Sequence, residues 1–142
     1  MSQTADDAGG NRHLAGRLGL RSGDVVQELG YDDDCDDDLR ESVQALTGSP
    51  LVGEDYEDVV DVVLLWWRDD DGDLVDALVD SLISLGDGGV VWLLTPKAGR
   101  GGHVEPGDIG DAAPTAGLHQ TSSISAAPDW SGTRLVTRRS GR

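Results

Sequence analysis

The sequence predicts a small α/β domain: a Rossmann-like open sheet, mostly parallel with an antiparallel C-terminal hairpin, and helices on its faces. Three observations predict it. Val59–Trp67 and Val90–Thr95 are near-continuous runs of β-branched residues, leucine and tryptophan. They are too apolar for strands with one wet face and fit a parallel sheet covered on both sides. A helix-period pattern lies between them, and strand, helix, strand in one sheet is the right-handed parallel crossover. Near the C-terminus, two β-type segments flank Pro128-Asp129-Trp130-Ser131, the signature of a hairpin at a sheet edge.

The elements follow in order. Residues 1–12 read as an acidic tail, residues 13–139 as one α/β domain, and residues 140–142 as a short C-terminal tail. A strand is expected over Asp24–Leu29, ending at Gly30. After Tyr31 come Asp32-Asp33-Asp34-Cys35-Asp36-Asp37-Asp38 and a helix over Leu39–Leu46. Asp38 serves as its cap, with Glu41 in the capping-box position, and Gly48-Ser49-Pro50 stops it. Asp61 interrupts the Val59–Trp67 strand, which requires it to be buried or half-buried and paired. Asp69–Asp71 cap a helix over Asp73–Leu85, whose stripe is Leu74, Leu78, Leu82 and Leu85; Gly86 ends it. Pro96 stops the Val90–Thr95 strand. A glycine-rich loop, Lys97–His103, leads to a weak helix over Glu105–Gly117, then to strands over Thr121–Ala127 and Gly132–Thr137.

Composition excludes several classes. The single cysteine forms no internal disulfide, which fits a reducing compartment. No apolar run approaches the ~20 residues of a membrane span, and Met1–Gly10 lacks the basic and apolar regions of a secretory signal. The expected location is cytoplasmic. Phe is absent, so four Trp and two Tyr supply the large rings of the core. The formal charge of −16 is unevenly spread. Residues 24–87 hold 21 acidic and 2 basic residues, a net of −19, and the rest of the chain contributes +3. Such a surface repels nucleic acid and anionic membrane. It is either a solubilising face, a dock for a basic partner, or an adaptation to salt.

The segments Asp58–Trp67, Trp92–Lys97, Gly102–Pro106, Ala113–Leu118 and Asp129–Val136 together resemble the actinobacterial family catalogued as domain of unknown function 3052. The likeness spans about His13 to Thr137. It implies a cytoplasmic bacterial protein and carries no activity. More distantly, the chain resembles a shortened Rossmann-type methyltransferase. Val25–Gly30 stands where that superfamily places its first strand and glycine-rich turn, and Leu85–Trp92 resembles its helix, Gly-Gly, strand passage. This second likeness concerns fold and transfers no function.

The residues argue against most chemistries. A dinucleotide or S-adenosylmethionine site needs glycines after the first strand so that backbone amides can hold anionic groups. Here Gly30 stands alone before an acidic run that repels carboxylate and phosphate, and Gly30 to Val59 leaves room for one helix and one brief strand. No cofactor is expected. Calcium fails on spacing: with Gly72 as the sixth loop position, Trp67 is first and Leu78 twelfth, where acids are required. No metal site is expected, since one Cys and three scattered His supply no zinc pattern. Flanking aspartates raise the pKa of Cys35 and disfavour a nucleophilic thiolate, so no catalytic residue is expected.

The loop carrying Lys97, Arg100, Gly101, Gly102 and His103 is the candidate site. It leaves the carboxyl end of a central strand, where open α/β sheets bind ligands. Its glycines allow close backbone approach, and its cations stand in an otherwise negative protein. The plainer reading is a connector whose charges balance nearby acids. Trp130, placed in a turn, is the tryptophan expected to be exposed for recognition. The function expected is a non-catalytic binding or regulatory protein on a degenerate Rossmann-like scaffold. Its partner would be another protein or a small anionic ligand. The alternatives are a divergent S-adenosylmethionine-dependent methyltransferase and a salt-adapted accessory domain. The sequence does not specify an oligomeric state.

Overall fold

The computed structural model describes residues 15–137; the two expected tails, and the outermost residues of the expected domain, lie outside them. One five-stranded sheet carries β1 (Val26–Leu29), β2 (Val60–Trp66), β3 (Leu85–Pro96), β4 (Leu118–Ala127) and β5 (Trp130–Thr137) in the order β1-β2-β3-β5-β4. The pairs β1–β2 and β2–β3 are parallel, and β5 runs antiparallel between β3 and β4. Helices α1 (Asp37–Thr47), α2 (Leu74–Ser81) and α3 (Pro106–Thr115) lie on the faces. This is the open Rossmann-like sheet that the apolar runs predict.

The alternation of side chains along β2 builds two cores. Val62, Leu64 and Trp66 point to the α1 face, where they meet Leu39, Val43, Trp92 and Trp130. Val63, Leu65 and Trp67 point to the other face, among Leu78, Leu93, Ile109 and Leu135. A strand buried on both sides has no room for a polar residue except at an irregularity. Asp61 sits at one: the register slips between Val60 and Val62, and the side chain turns outward. It is therefore exposed rather than buried, although its Oδ2 accepts a 2.9 Å hydrogen bond from the Val25 amide.

Four local expectations need correction. The α1 cap is Asp36, whose Oδ1 accepts from the Leu39 amide at 2.8 Å, so the helix starts before Asp38, and Glu41 lies too far along for a capping box. Gly48, in the left-handed region at φ +84°, does end it. Helix α2 is capped by Asp73 rather than by Asp69–Asp71, and it stops at Ser81. Leu85 leaves the helical stripe to pair with Val60, so β3 starts there and continues through Gly86. The hairpin turn is tighter than expected: Trp130 already belongs to β5 and pairs with Ala127 and Pro96.

The sheet ends differently at its two edges. Beyond β1, Val52 makes a lone parallel bridge to Gln27, exchanging hydrogen bonds with Glu28 and Val26 at 2.8 and 2.9 Å. A doubly wound sheet of order 3-2-1-4-5-6 continues with whole strands past strand 1; here one residue marks that position. At the other edge, β4 is broken by irregularities between Gln120 and Ser122 and between Ser125 and Ala127.

Candidate functional site

The carboxyl ends of β1, β2 and β3 emerge on one side of the sheet, the side on which open α/β folds hold their ligands. At the end of β1 the chain turns at Gly30, with φ +79°. A Cβ there would run into the carbonyl oxygen of Trp66. Glycine is thus required twice, for the backbone angle and for the contact between the two strand ends.

The crevice between those ends is filled by a side chain. Arg68, two residues past β2, lies across it with an 11 % exposed side chain. Its Nε and Nη2 grip the Asp34 carboxylate at 3.0 and 2.5 Å. Nη1 donates to the carbonyl oxygens of Gly30 at 2.8 Å and Trp66 at 3.4 Å, and to Asp71 at 3.3 Å. Nη2 also reaches the Cys35 sulfur at 3.2 Å, and the guanidinium carbon stands 5.3 Å from the centre of the Trp130 ring. Planar, bidentate pairing of this kind suits arginine and not lysine. The hydrogen bonds to Asp34 raise the Arg68 pKa and hold the Asp34 carboxyl below its ordinary value.

Trp130 is 3 % exposed and belongs to this assembly, not to a recognition surface as expected. It packs edge-on to Trp66, with centroids 4.8 Å apart, and its Nε1 donates to the Asp34 carbonyl oxygen. The Trp66 Nε1 donates to Glu28, which Arg40 holds at 2.6 and 2.9 Å. The acidic run thus has assigned positions: Asp34 anchors Arg68, Asp36 caps α1, and Asp37 pairs with Arg40. Cys35 is buried beneath them, and burial pushes its thiol up to about 11, ahead of any effect of neighbouring charge. That is the direction the sequence predicts, with desolvation as the main cause instead of the aspartates. Among the described residues, no group of three or more His, Cys, Asp and Glu is placed to hold a metal ion.

The loop residues named from sequence are engaged one by one with different neighbours. Lys97 Nζ donates to Ser125 Oγ at 2.5 Å, and Arg100 pairs with Asp129 at 3.3 Å. The His103 Nδ1 lies 2.9 Å from the Pro96 carbonyl, and its Nε2 lies 3.7 Å from Glu105. Gly101 is in open space. Gly102, at φ +86°, accepts a hydrogen bond from the Asp69 amide. His103 lines a cleft of about 340 Å³ with hydroxyls of β4 and β5, including Ser123, Ser125 and Thr133.

A larger cleft of about 560 Å³ opens on the α2 face, floored by Gln27, Leu29 and Leu65, with Asp32, Glu54 and Asp80 on its walls. These residues do not fit an S-adenosyl cofactor. Arg68 already occupies the strand ends with its donors committed, and the other charged groups are carboxylates, which leave the cofactor's own carboxylate without a cationic partner. Arg68 is the crevice residue that the sequence reading passed over. Its signal was nonetheless present, because Arg40 and Arg68 are the two cations among the 21 acids of residues 24–87.

Comparison with known proteins bears on the family and the fold. An uncharacterized protein of Mycobacterium bovis and one of Mycobacterium tuberculosis are each 50 % identical over 128 residues, covering 90 % of this chain and 80 % of the relative. Among solved structures, the pyocyanin biosynthetic protein PhzM superposes with a TM-score of 0.64 at 15 % identity, over 90 % of this chain and 54 % of its own. The CcbJ methyltransferase of Streptomyces caelestis gives 0.57 at 13 %, over 92 % and 96 %. A TehB-like S-adenosylmethionine-dependent methyltransferase of Corynebacterium glutamicum gives 0.53 at 15 %, over 91 % and 88 %. At such identities the likeness is one of fold. A family model described as "Protein of unknown function" matches residues 15–139.

Proposed function

The chain belongs to the family of unknown function DUF3052, and from that premise we propose that it is a non-catalytic binding or regulatory protein on a methyltransferase-like scaffold. One observation carries the reading: the Arg68 guanidinium spans the crevice where the fold would take a cofactor, held by Asp34, Asp71 and the Gly30 carbonyl. A side chain whose donors are committed to the protein offers nothing to a ligand's carboxylate or phosphate. In this reading the loop Lys97–His103 is a second contact region, and its half-exposed Arg100 is available to an anionic group if the Asp129 pair opens. Titration calorimetry with S-adenosylmethionine, S-adenosylhomocysteine, ATP and NAD is the test. No saturable heat is expected up to about 1 mM ligand. Saturable binding of any of them at micromolar concentration overturns the reading.

The alternative, a divergent S-adenosylmethionine-dependent methyltransferase, draws on the likeness of fold to such enzymes. It requires Arg68 to swing out of the crevice. On that alternative, Arg68→Ala gains affinity for S-adenosylmethionine; on ours, it gains none.

A further inference from the structure

A parallel sheet is stable when helices cover both its faces. On the α2 face, β2 and β3 are covered by α2 and α3, but over β1 the cover is the coil 52–59. Between that coil and α2 runs an open groove. Its upper part is the cleft of about 560 Å³ floored by Gln27, Leu29 and Leu65. Its lower part, about 630 Å³, lies between Asp55–Val59 and Ile83–Leu85. Glu54, Ile83 and Ser84 line both parts, so the two form one trough.

Three large apolar side chains are exposed along it: Ile83 at 80 %, Val59 at 62 % and Tyr31 at 47 %. Such a patch ringed by polar residues marks an interaction site more often than a bare surface. The ring is of one sign. Asp32, Glu54, Asp55, Glu57, Asp58 and Asp80 line the trough, and Asp71 joins them already paired with Arg68, the one lining cation. The floor adds another acceptor. Gln27 is 5 % exposed and donates its amide NH2 to the Gly53 carbonyl at 3.0 Å. Its Oε1 has no partner among the described residues, and it is not sealed from the trough.

We propose that this trough receives a basic amphipathic helix of a partner protein, whose apolar stripe covers β1 as a third helix of that face. The inference rests on the binding-protein reading above and names its partner's chemistry. Acceptors on the floor and walls call for lysine and arginine donors, and Ile83, Val59 and Tyr31 call for an apolar stripe at helical spacing. A second copy is a poor occupant, because a two-fold contact would set the same carboxylates against each other.

The test uses fluorescence anisotropy with the full chain and a labelled synthetic peptide of about 14 residues, long enough for roughly 20 Å of helix. The peptide contains only leucine and lysine, with leucines on one helical face; a scrambled peptide of equal composition is the control. The ordered peptide is expected to bind roughly tenfold tighter than the scrambled one. Ile83→Glu and Asp80→Lys should each remove most of that difference, while Asp108→Lys and Asp111→Lys on α3 should not. All four residues are exposed, so an unchanged melting temperature confirms that the fold survives. Equal binding of both peptides, or equal loss from the α3 changes, overturns the proposal. So does a dimer in sedimentation that Ile83→Glu dissolves, since the occupant would then be a second copy. Cofactor titration remains independent: saturable S-adenosylmethionine binding defeats the binding-protein reading, whereas peptide failure alone defeats only the trough.

Discussion

Replacing Arg68 with Ala removes the group that joins three strand ends, and its cost can be worked from the contacts. The bidentate pair with Asp34 is worth less than a buried one, because the Asp34 side chain is 52 % exposed and water can rehydrate the stranded carboxylate. We assign it about 0.5–1 kcal/mol. The hydrogen bond to the Gly30 carbonyl contributes about 1 kcal/mol, and the stacking over Trp130 about 0.5–1 kcal/mol. The emptied space beside Trp66 adds a fraction of a kcal/mol more. The expected destabilisation is therefore about 2–4 kcal/mol, read from urea unfolding as a lowered midpoint at unchanged slope. Arg68→Lys keeps the charge and loses the fork, so roughly half of that loss should remain. A change within about 0.5 kcal/mol for Arg68→Ala refutes the reasoning, because Arg68 would then be a surface residue with incidental partners.

Three further outcomes are expected. The alkylation rate of Cys35 should titrate with a midpoint near 11 instead of the ordinary 8.5. Because burial raises the folded pKa above the unfolded one, the neutral thiol's contribution is complete below about 8.5. It falls as pH rises towards 11, so Cys35→Ala should flatten the alkaline stability profile, and a midpoint near 8.5 refutes this. Asp61→Ala should cost about 0.5–1.5 kcal/mol by chemical denaturation, since an exposed carboxylate loses one hydrogen bond to the Val25 amide; a loss above about 3 kcal/mol would show that Asp61 supports the bulge in some further way. Replacing Lys97, Arg100 and His103 together with Ala should shift stability by less than about 2 kcal/mol, because Lys97 and Arg100 each make one exposed contact and the part-buried His103 adds one to the Pro96 carbonyl and one to Glu105. A collapse of the melting transition would make the loop structural.

What was legible in the sequence, and what was not, divides along local and long-range physics. Val60–Trp66 and the second half of β3 declare themselves because a strand buried on both faces leaves no polar alternation. The α1 cap was misplaced because any of the consecutive aspartates has the chemistry of a cap. The turn that places Cys35 and Asp32 in contact chooses Asp36. Leu85 fits the helical stripe of α2 as well as Leu82 does, and only pairing with Val60 assigns it to β3. Trp130 went wrong in the same way: turn composition suggested exposure, while packing against Trp66 buries it. The Arg68–Asp34 clamp spans 34 residues of sequence, and no local pattern announces such a contact.

β4 reads Leu-His-Gln-Thr-Ser-Ser-Ile-Ser-Ala-Ala, ten residues without Asp, Glu, Lys, Arg or Pro, in a chain of net charge −16. Its outer edge, unpaired among the described residues, is blunted by two irregularities and by Arg17, which donates to the Ser125 carbonyl at 2.6 Å. Exposed strand edges invite further strands, so colloidal stability rests on repulsion generated at the opposite side of the molecule. As carboxylates protonate below about pH 5, that repulsion fades. Light scattering should then rise steeply in acid, and Ser123→Lys, placing one charge on the edge itself, should delay the rise to lower pH. Equal onsets for the two proteins would mean that association begins elsewhere.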